Sequence, residues 1–410
     1  MPRFSLLAAL TVLVLALHHS QAAEPPNKRN IENPDVDKLA QDNNQFACNL
    51  YNHLRTQPGN LFFSPHSLST ALGMTFAGAK GETETEMAEV LHFKLPQNRL
   101  HTAFSALSTW LHGANRNGIE IRTANRLWGQ KGDEFLPAYL KVTRELYGAE
   151  LGLVDFVGEA EAARQAINTW VESQTNQKIQ NLIPPGVLNA LTRLVLTNAI
   201  YFKGDWASPF PERLTQDAPF HLSADKSVDV PMMFQKKSFR YAAVAEVQVL
   251  ELPYAGNDLA MLVLLPEEVE GLAVLEEKLT PEALSRWASS LRKQEVRVYL
   301  PKFTMTSQFN LRSVLQEMGL ASAFDPDRAD FSGMTGTREL FISEVIHKAF
   351  VDVGEKGTEA AAATGVVIGV TSAPIEEPPT FRADHPFLFL IRDTRTQSIL
   401  FMGRVTDPSR

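Results

Sequence analysis

Apolar and polar positions change rhythm once along the chain. Up to about residue 180, apolar side chains recur every three to four positions, as in Val36, Leu39, Phe46, Leu50 and Leu54, the spacing that lines one face of a helix. The pattern predicts helices over about 35–55, 67–78, 82–91, 98–113 and 160–180. Beyond Leu191 the rhythm shortens to strands: LVLTNAIYF, then VQVLELPYAGNDLAMLVLLP with AGND as its turn, then EVRVYLPKF, where Val296, Val298 and Leu300 alternate with other residues. Helical spacing returns near 280–292 and 309–319, and FLFLIRDTRTQSILFMGRV closes the chain as a hairpin turning at Thr394–Gln397. Helices first and strands later, with no Pro/Gly/Ser-rich linker between them, predict a single α+β domain over 35–410.

A different pattern opens the chain. Residues 1–23 carry Arg3, an uncharged apolar run from Leu6 to Leu17, and the small residues Ser20, Ala22 and Ala23, which together read as a secretory signal peptide cleaved after Ala22 or Ala23. The run is shorter than the ~20 apolar residues of a spanning helix, so no membrane role is expected. Residues 24–34 read as a polar N-terminal tail, and the mature protein is expected to be secreted, extracellular or periplasmic. Secretion makes the cysteine count informative. Cys48 is the only cysteine in 410 residues, so no intramolecular disulfide is available, and its place in a helical pattern suits a small buried hydrophobe rather than a reactive thiol.

Charge and motifs exclude more than they assign. The chain has 39 basic against 47 acidic residues, net -8, with no basic block, which speaks against a nucleic-acid partner. GxSxG, HExxH, Walker and GxGxxG signatures are all absent, and the histidines beyond the signal are never paired at helical spacing, so neither a metal nor another cofactor is implied. A Ser/His/Asp triad assembled only by the fold stays open at this level.

One stretch fits no element: GEKGTEAAAATGVVIGVTS, Gly354 to Ser372, with its continuation to Pro386. Ala360 to Ala363 favour a helix, four glycines interrupt it, and Val366, Val367, Ile368 and Val370 prefer a strand.

Seven segments, taken in order, resemble the serpin family of serine protease inhibitors. They are 60–87, 167–184, 194–210, the 251–266 hairpin, LPKF at 300–303, ISEVIHKAFVDVGEKGTEAAAAT at 342–364, and DHPFLFLIRD to ILFMGRVTDP at 384–408. The resemblance implies three β-sheets, about eight or nine helices and an exposed reactive-centre loop over about 355–384. It implies a suicide substrate rather than an enzyme: a target serine protease attacks the loop, and the cleaved loop inserts into the largest sheet before deacylation. The usual spacing places the reactive bond at Thr371–Ser372; the segment after it is longer than in many members, and Val370–Thr371 is the alternative. The hinge of the loop would comprise Glu355, Gly357, Thr358, Glu359, Ala360, Ala361, Ala362, Ala363 and Thr364. Ser64, Asn198 and His347 match a polar cluster beneath the centre of the sheet, Trp206 a residue at its top, and Lys302 with Glu355 a hinge ion pair.

The residues suit that motion. Strand alternation sends Thr358, Ala360, Ala362, Thr364, Val366, Ile368 and Val370 to one face, uncharged throughout and small where insertion would begin, while Glu359 falls on the other. The residues flanking the bond point to an elastase-like or subtilisin-like target, since no Lys or Arg lies between Lys356 and Arg382. Around Leu100–Asn117 there is no basic stripe, so heparin activation is not implied, and a monomer is expected. The alternative reading within the family is a non-inhibitory carrier, chaperone or storage protein.

Overall fold

Local chemistry sets the helix starts. The Ser64 hydroxyl accepts from the Ser67 amide and Thr280 from the Ala283 amide, each followed by proline at the first helical position, where a missing N–H costs nothing. In the computed structural model, which describes residues 33–112, 118–245, 247–358 and 377–410, the helices are α1 Val36–Leu54, α2 Pro65–Phe76, α3 Gly81–Val90, α4 Gln97–His112, α5 Pro137–Tyr147, α6 Phe156–Gln174, α7 Leu272–Glu277, α8 Pro281–Ser290, α9 Arg312–Glu317 and α10 Ser332–Thr335. The strands are β1 Leu61–Phe63, β2 Ile119–Gln130, β3 Gly152–Val154, β4 Leu194–Asp205, β5 Gln216–Ser223, β6 Lys226–Val244, β7 Val247–Pro253, β8 Leu259–Pro266, β9 Arg292–Pro301, β10 Phe303–Asn310, β11 Ile342–Gly354, β12 Gly357–Thr358, β13 Thr380–Arg382, β14 Phe387–Asp393 and β15 Ile399–Val405. The fold is α+β.

Hydrogen bonding joins these strands into two networks. One runs β10-β11-β12-β4-β2-β3, and the other runs β1-β15-β14-β8-β7-β6-β9-β13 with β5 attached to β6. The second network contains two of the three expected sheets. They merge because the 19-residue β6 belongs to both, pairing with β5 and β9 along its first part and with β7 at its end. The helix count of ten among the described residues exceeds expectation through short pieces such as α9 and α10.

The six-stranded sheet is covered on both faces, so β4 reads as a continuous apolar run rather than an alternation. Its even positions Leu194, Leu196, Ile200 and Phe202 join the main core, while Val195 and Ala199 pack with Ala163, Ile167 and Val171 of α6 on the other side. Cys48 is buried in the main core, and burial pushes its thiol up to about 12, as a packing residue requires.

Two features differ from the sequence pattern. The first half is not purely helical: β2 pairs antiparallel with β4 from Ile119↔Gly204 to Gly129↔Leu194. Its strand signal is masked by charged residues, of which Arg126 lies 4.9 Å from the rings of both Trp128 and Trp170. The helix expected over 309–319 contracts to α9, because Phe303–Asn310 is drawn into pairing with β11.

Candidate functional site: a hinge seated in the six-stranded sheet

β11 ends at Gly354, turns through Glu355 and Lys356, and folds back as β12. Thr358 pairs with Val353 of β11 and with Gly204 of β4, and Gly357 pairs with Gly354 and Asp205, so the two residues fill a slot between the ends of β11 and β4. Below the slot β11 and β4 pair directly and in parallel, from Ile342↔Leu194 to Phe350↔Tyr201. Gly357 has φ of 154°, and a Cβ there would collide with the Gly204 carbonyl oxygen, so only glycine fits. Thr358 is fully buried, and its hydroxyl lies 2.9 Å from that of Tyr254.

The strand ends and the residues after β4 clasp this turn. The Trp206 indole stacks on Tyr254 with ring centroids 4.6 Å apart, and its Nε1 donates to the Gly354 carbonyl at 2.9 Å. Backbone amides of Trp206 and Phe210 donate to the carbonyls of Lys356 and Glu355 at 2.8 and 2.7 Å. The Glu355 carboxylate meets Lys302 Nζ at 2.9 Å and accepts from the Thr215 hydroxyl at 2.9 Å. Partial burial acts to raise the Glu355 pKa, but hydrogen bonds from Lys302, its own amide and Thr215, with the Lys302 charge, outweigh it and hold the carboxylate below its usual range. Lys356 reaches Glu212 at 3.4 Å.

A second constellation lies under the middle of the sheet. Register places Phe309, His347, Asn198 and Asn125 side by side on β10, β11, β4 and β2. His347 Nδ1 lies 2.5 Å from Asn198 Oδ1, while Nε2 accepts from the Ser64 amide at 3.1 Å. One ring nitrogen therefore donates and the other accepts, which only the neutral ring can do. Complete burial drives the His347 pKa down to about 3, with a smaller opposing contribution from Asn198. Asn198 Nδ2 donates to Ser67 Oγ at 2.7 Å and to Asn125 Oδ1 at 2.5 Å. The Ser64 hydroxyl donates to the Leu400 carbonyl at 2.6 Å, turned away from the imidazole. Ser64 and His347 therefore form no nucleophile–base pair, and the cluster ties β11, β4 and β2 to the start of α2 and to β15.

The structure thus brings together Ser64, Asn198 and His347 in one cluster, and Trp206, Lys302, Glu355, Gly357 and Thr358 in another. Glu359, Ala360, Ala361, Ala362, Ala363, Thr364, Val370, Thr371 and Ser372 lie outside the described residues. Sequence reasoning did not single out Ser67, Asn125, Thr215 or Tyr254. Asn125 and Ser67 carry no local signal, and Tyr254 could be found only from the turn after β7. Among the described residues no group of His, Cys, Asp and Glu could hold a metal ion, and no helix is long and apolar enough to cross a membrane.

The comparisons with known proteins agree with this geometry. The family model for serpin (serine protease inhibitor) matches residues 41–408. The leukocyte elastase inhibitor of Sus scrofa is 44% identical over 384 residues, covering 91% of this chain and 100% of that protein. Among solved structures, uncleaved ovalbumin superposes with a TM-score of 0.82 at 34% identity, covering 90% of this chain and 100% of that one. Serpin48 of the insect Tenebrio molitor does so with a TM-score of 0.82 at 35% identity, over 92% and 100% of the two chains.

Proposed function

We propose that this chain, which belongs to the serpin family and is no enzyme, inhibits an elastase-like or subtilisin-like serine protease as a suicide substrate. The observation that carries the reading is the seat of Thr358. The segment leading into the loop already runs as a strand between β11 and β4, aligned with the seam that a cleaved loop would enter. Each residue that follows into the seam gains ladder hydrogen bonds, at ~0.5 to 1.5 kcal/mol net apiece, and Val366, Ile368 and Val370 would gain ~1.5 to 3 kcal/mol each by burial. Ordering the strand opposes this by ~1 to 2 kcal/mol per residue. In this reading Thr371 is acylated, Ser372 begins the leaving fragment, and the Ser64–Asn198–His347 cluster governs how readily the strands part. The similarity to leukocyte elastase inhibitors supports the choice of target. Secretion belongs to the same proposal and rests on the composition of residues 1–23.

The test is incubation with a panel of serine proteases, followed by gel analysis and sequencing of the released C-terminal fragment. The reading expects an SDS-stable, one-to-one complex with an elastase or subtilisin and a fragment beginning at Ser372 or Thr371. Clean cleavage across the panel without any complex would support a carrier or storage role instead. N-terminal sequencing of the exported protein should begin at Ala23 or Glu24.

A further inference from the structure

At one end of the β6–β7–β8 meander, register sets Val244 against Val247 and Val247 against Pro266. α7 and α8 complete an enclosure there with Val274, Leu275 and Trp287, and these side chains line a groove of about 420 Å³. Its shape depends on Gly271. A Cβ at that position would stand 2.8 Å from the Cβ of Pro266, so glycine lets α7 begin directly against the end of β8. Leu275 and Trp287 are buried in the wall, while Val274 keeps 49% of its surface exposed. The polar groups around the groove are free to receive a ligand. Glu267 and Glu268 are exposed on its rim, and among the described residues neither carboxylate has an ion-pair or hydrogen-bond partner. Lys278, on the same rim, already has a partner of its own. The Trp287 indole N–H, on a side chain only 8% exposed, has no acceptor among the described residues.

We propose that this groove binds a small amphipathic cation with a flat apolar body, one hydrogen-bond acceptor and a protonated amine. The volume sets the size, since pockets of ~300 to 1,000 Å³ hold compact organic molecules with most of their surface buried. The walls set the body. An aromatic or alicyclic skeleton laid against Val247, Val274 and Trp287 leaves water for an apolar surface, which is the non-directional part of the affinity. An acceptor facing the Trp287 N–H gives direction, because it satisfies a largely buried donor that the fold leaves without a partner. The two unpaired carboxylates at the mouth set the sign of the charge: they attract an ammonium and repel an acid. None of these residues belongs to the hinge or to the polar cluster, so the inference stands apart from the inhibitory reading.

The test titrates the protein with dansylcadaverine, a naphthalene sulfonamide that ends in a primary amine, and with dansylglycine, which carries the same fluorophore and a carboxylate. The inference expects saturable, one-to-one fluorescence enhancement by dansylcadaverine and about tenfold weaker binding of dansylglycine, or weaker still. Val274→Trp, at a half-exposed position, fills the groove and should abolish the enhancement. Glu267→Gln combined with Glu268→Gln should reduce the preference for the amine to about twofold or less, because the charge at the mouth is gone. Both sites are exposed, so this double variant folds as the wild type does and carries the test should Val274→Trp fold poorly. Equal binding of the two dyes by the wild type overturns the inference. So does dansylcadaverine binding that survives both variants unchanged, and so does the lack of any saturable binding up to about 1 mM. A dimer in sedimentation that Val274→Trp disperses would assign the groove to a second copy of this chain and overturn it as well.

Discussion

The Tyr254 hydroxyl and the Thr358 hydroxyl lie 2.9 Å apart in a fully buried site, with Trp206 stacked on the same tyrosine ring. β12 is therefore held in the sheet in part by a side chain that belongs to neither β11 nor β4. Burial pushes the Tyr254 pKa well up, so the phenol stays protonated and able to donate.

Tyr254→Phe removes that bond and leaves the Thr358 hydroxyl buried without it, a loss of about 1 kcal/mol. Backbone amides of residues 356–358 should then exchange with solvent about fivefold faster, because a smaller free energy holds the turn in its slot. Hydrogen exchange with local resolution reads this directly. Unchanged exchange would mean that the backbone pairing alone seats the hinge.

Acid should loosen the sheet through His347. Its folded pKa of about 3 lies below the ordinary 6.5, so between those values the unfolded chain binds the extra proton and stability falls as pH drops. The loss amounts to about 2 kcal/mol at pH 5 relative to pH 7. His101, pushed down to about 4 by burial, adds in the same direction. Urea midpoints measured across pH 4 to 7 should fall more gently in His347→Gln than in the wild type, and parallel slopes would show that His347 is not the group titrating. His347→Ala is harsher, since the Ser64 amide and Asn198 lose a buried partner at ~1 to 3 kcal/mol each.

Gly357→Ala tests the seat itself. The added methyl meets the Gly204 carbonyl, and the φ of 154° is one that L-residues avoid, so β12 must leave the slot or distort it. Cleavage by an elastase should continue while the fraction of stable complex falls by half or more. A complex formed with wild-type stoichiometry would show that insertion does not pass through this position.

Much of this was legible in the sequence, for reasons that differ by element. The α1 face from Val36 to Leu54 and the alternation of Val296, Val298 and Leu300 are local patterns, and each side chain is buried as the spacing requires. Gly357 stood out in the sequence as part of the expected hinge, while the small uncharged residues from Ala360 to Thr364 lie outside the described residues. The seating of the hinge was not legible, because the bond that fixes Thr358 comes from a residue 104 positions away. The polar cluster shows the same limit. His347 and Asn198 were identified through resemblance, but Ser67 and Asn125 enter only because register lays β2 against β4 and α2 behind them. β2 was missed because Glu120, Arg122 and Arg126 break its apolar alternation, and the strand shows only in its pairing with the distant β4.

Thr358→Arg should turn the inhibitor into a substrate. In the intact protein Thr358 is already fully buried between β11 and β4, so a guanidinium there must either shed its hydration, at several kcal/mol, or expel the hinge from the sheet. Attack on the loop should proceed at its normal rate, because the proposed bond at Thr371–Ser372 lies 13 residues downstream. Insertion would slow while deacylation kept its rate, shifting the outcome toward cleaved, uncomplexed protein. Glu359→Arg is the control: it replaces one charged side chain by another at the position that alternation sends to the opposite face. Stoichiometries of inhibition for the two variants, measured against the same elastase, should differ severalfold. Equal values would refute the alternation and, with it, the reason why the leading residues of the loop are small and uncharged.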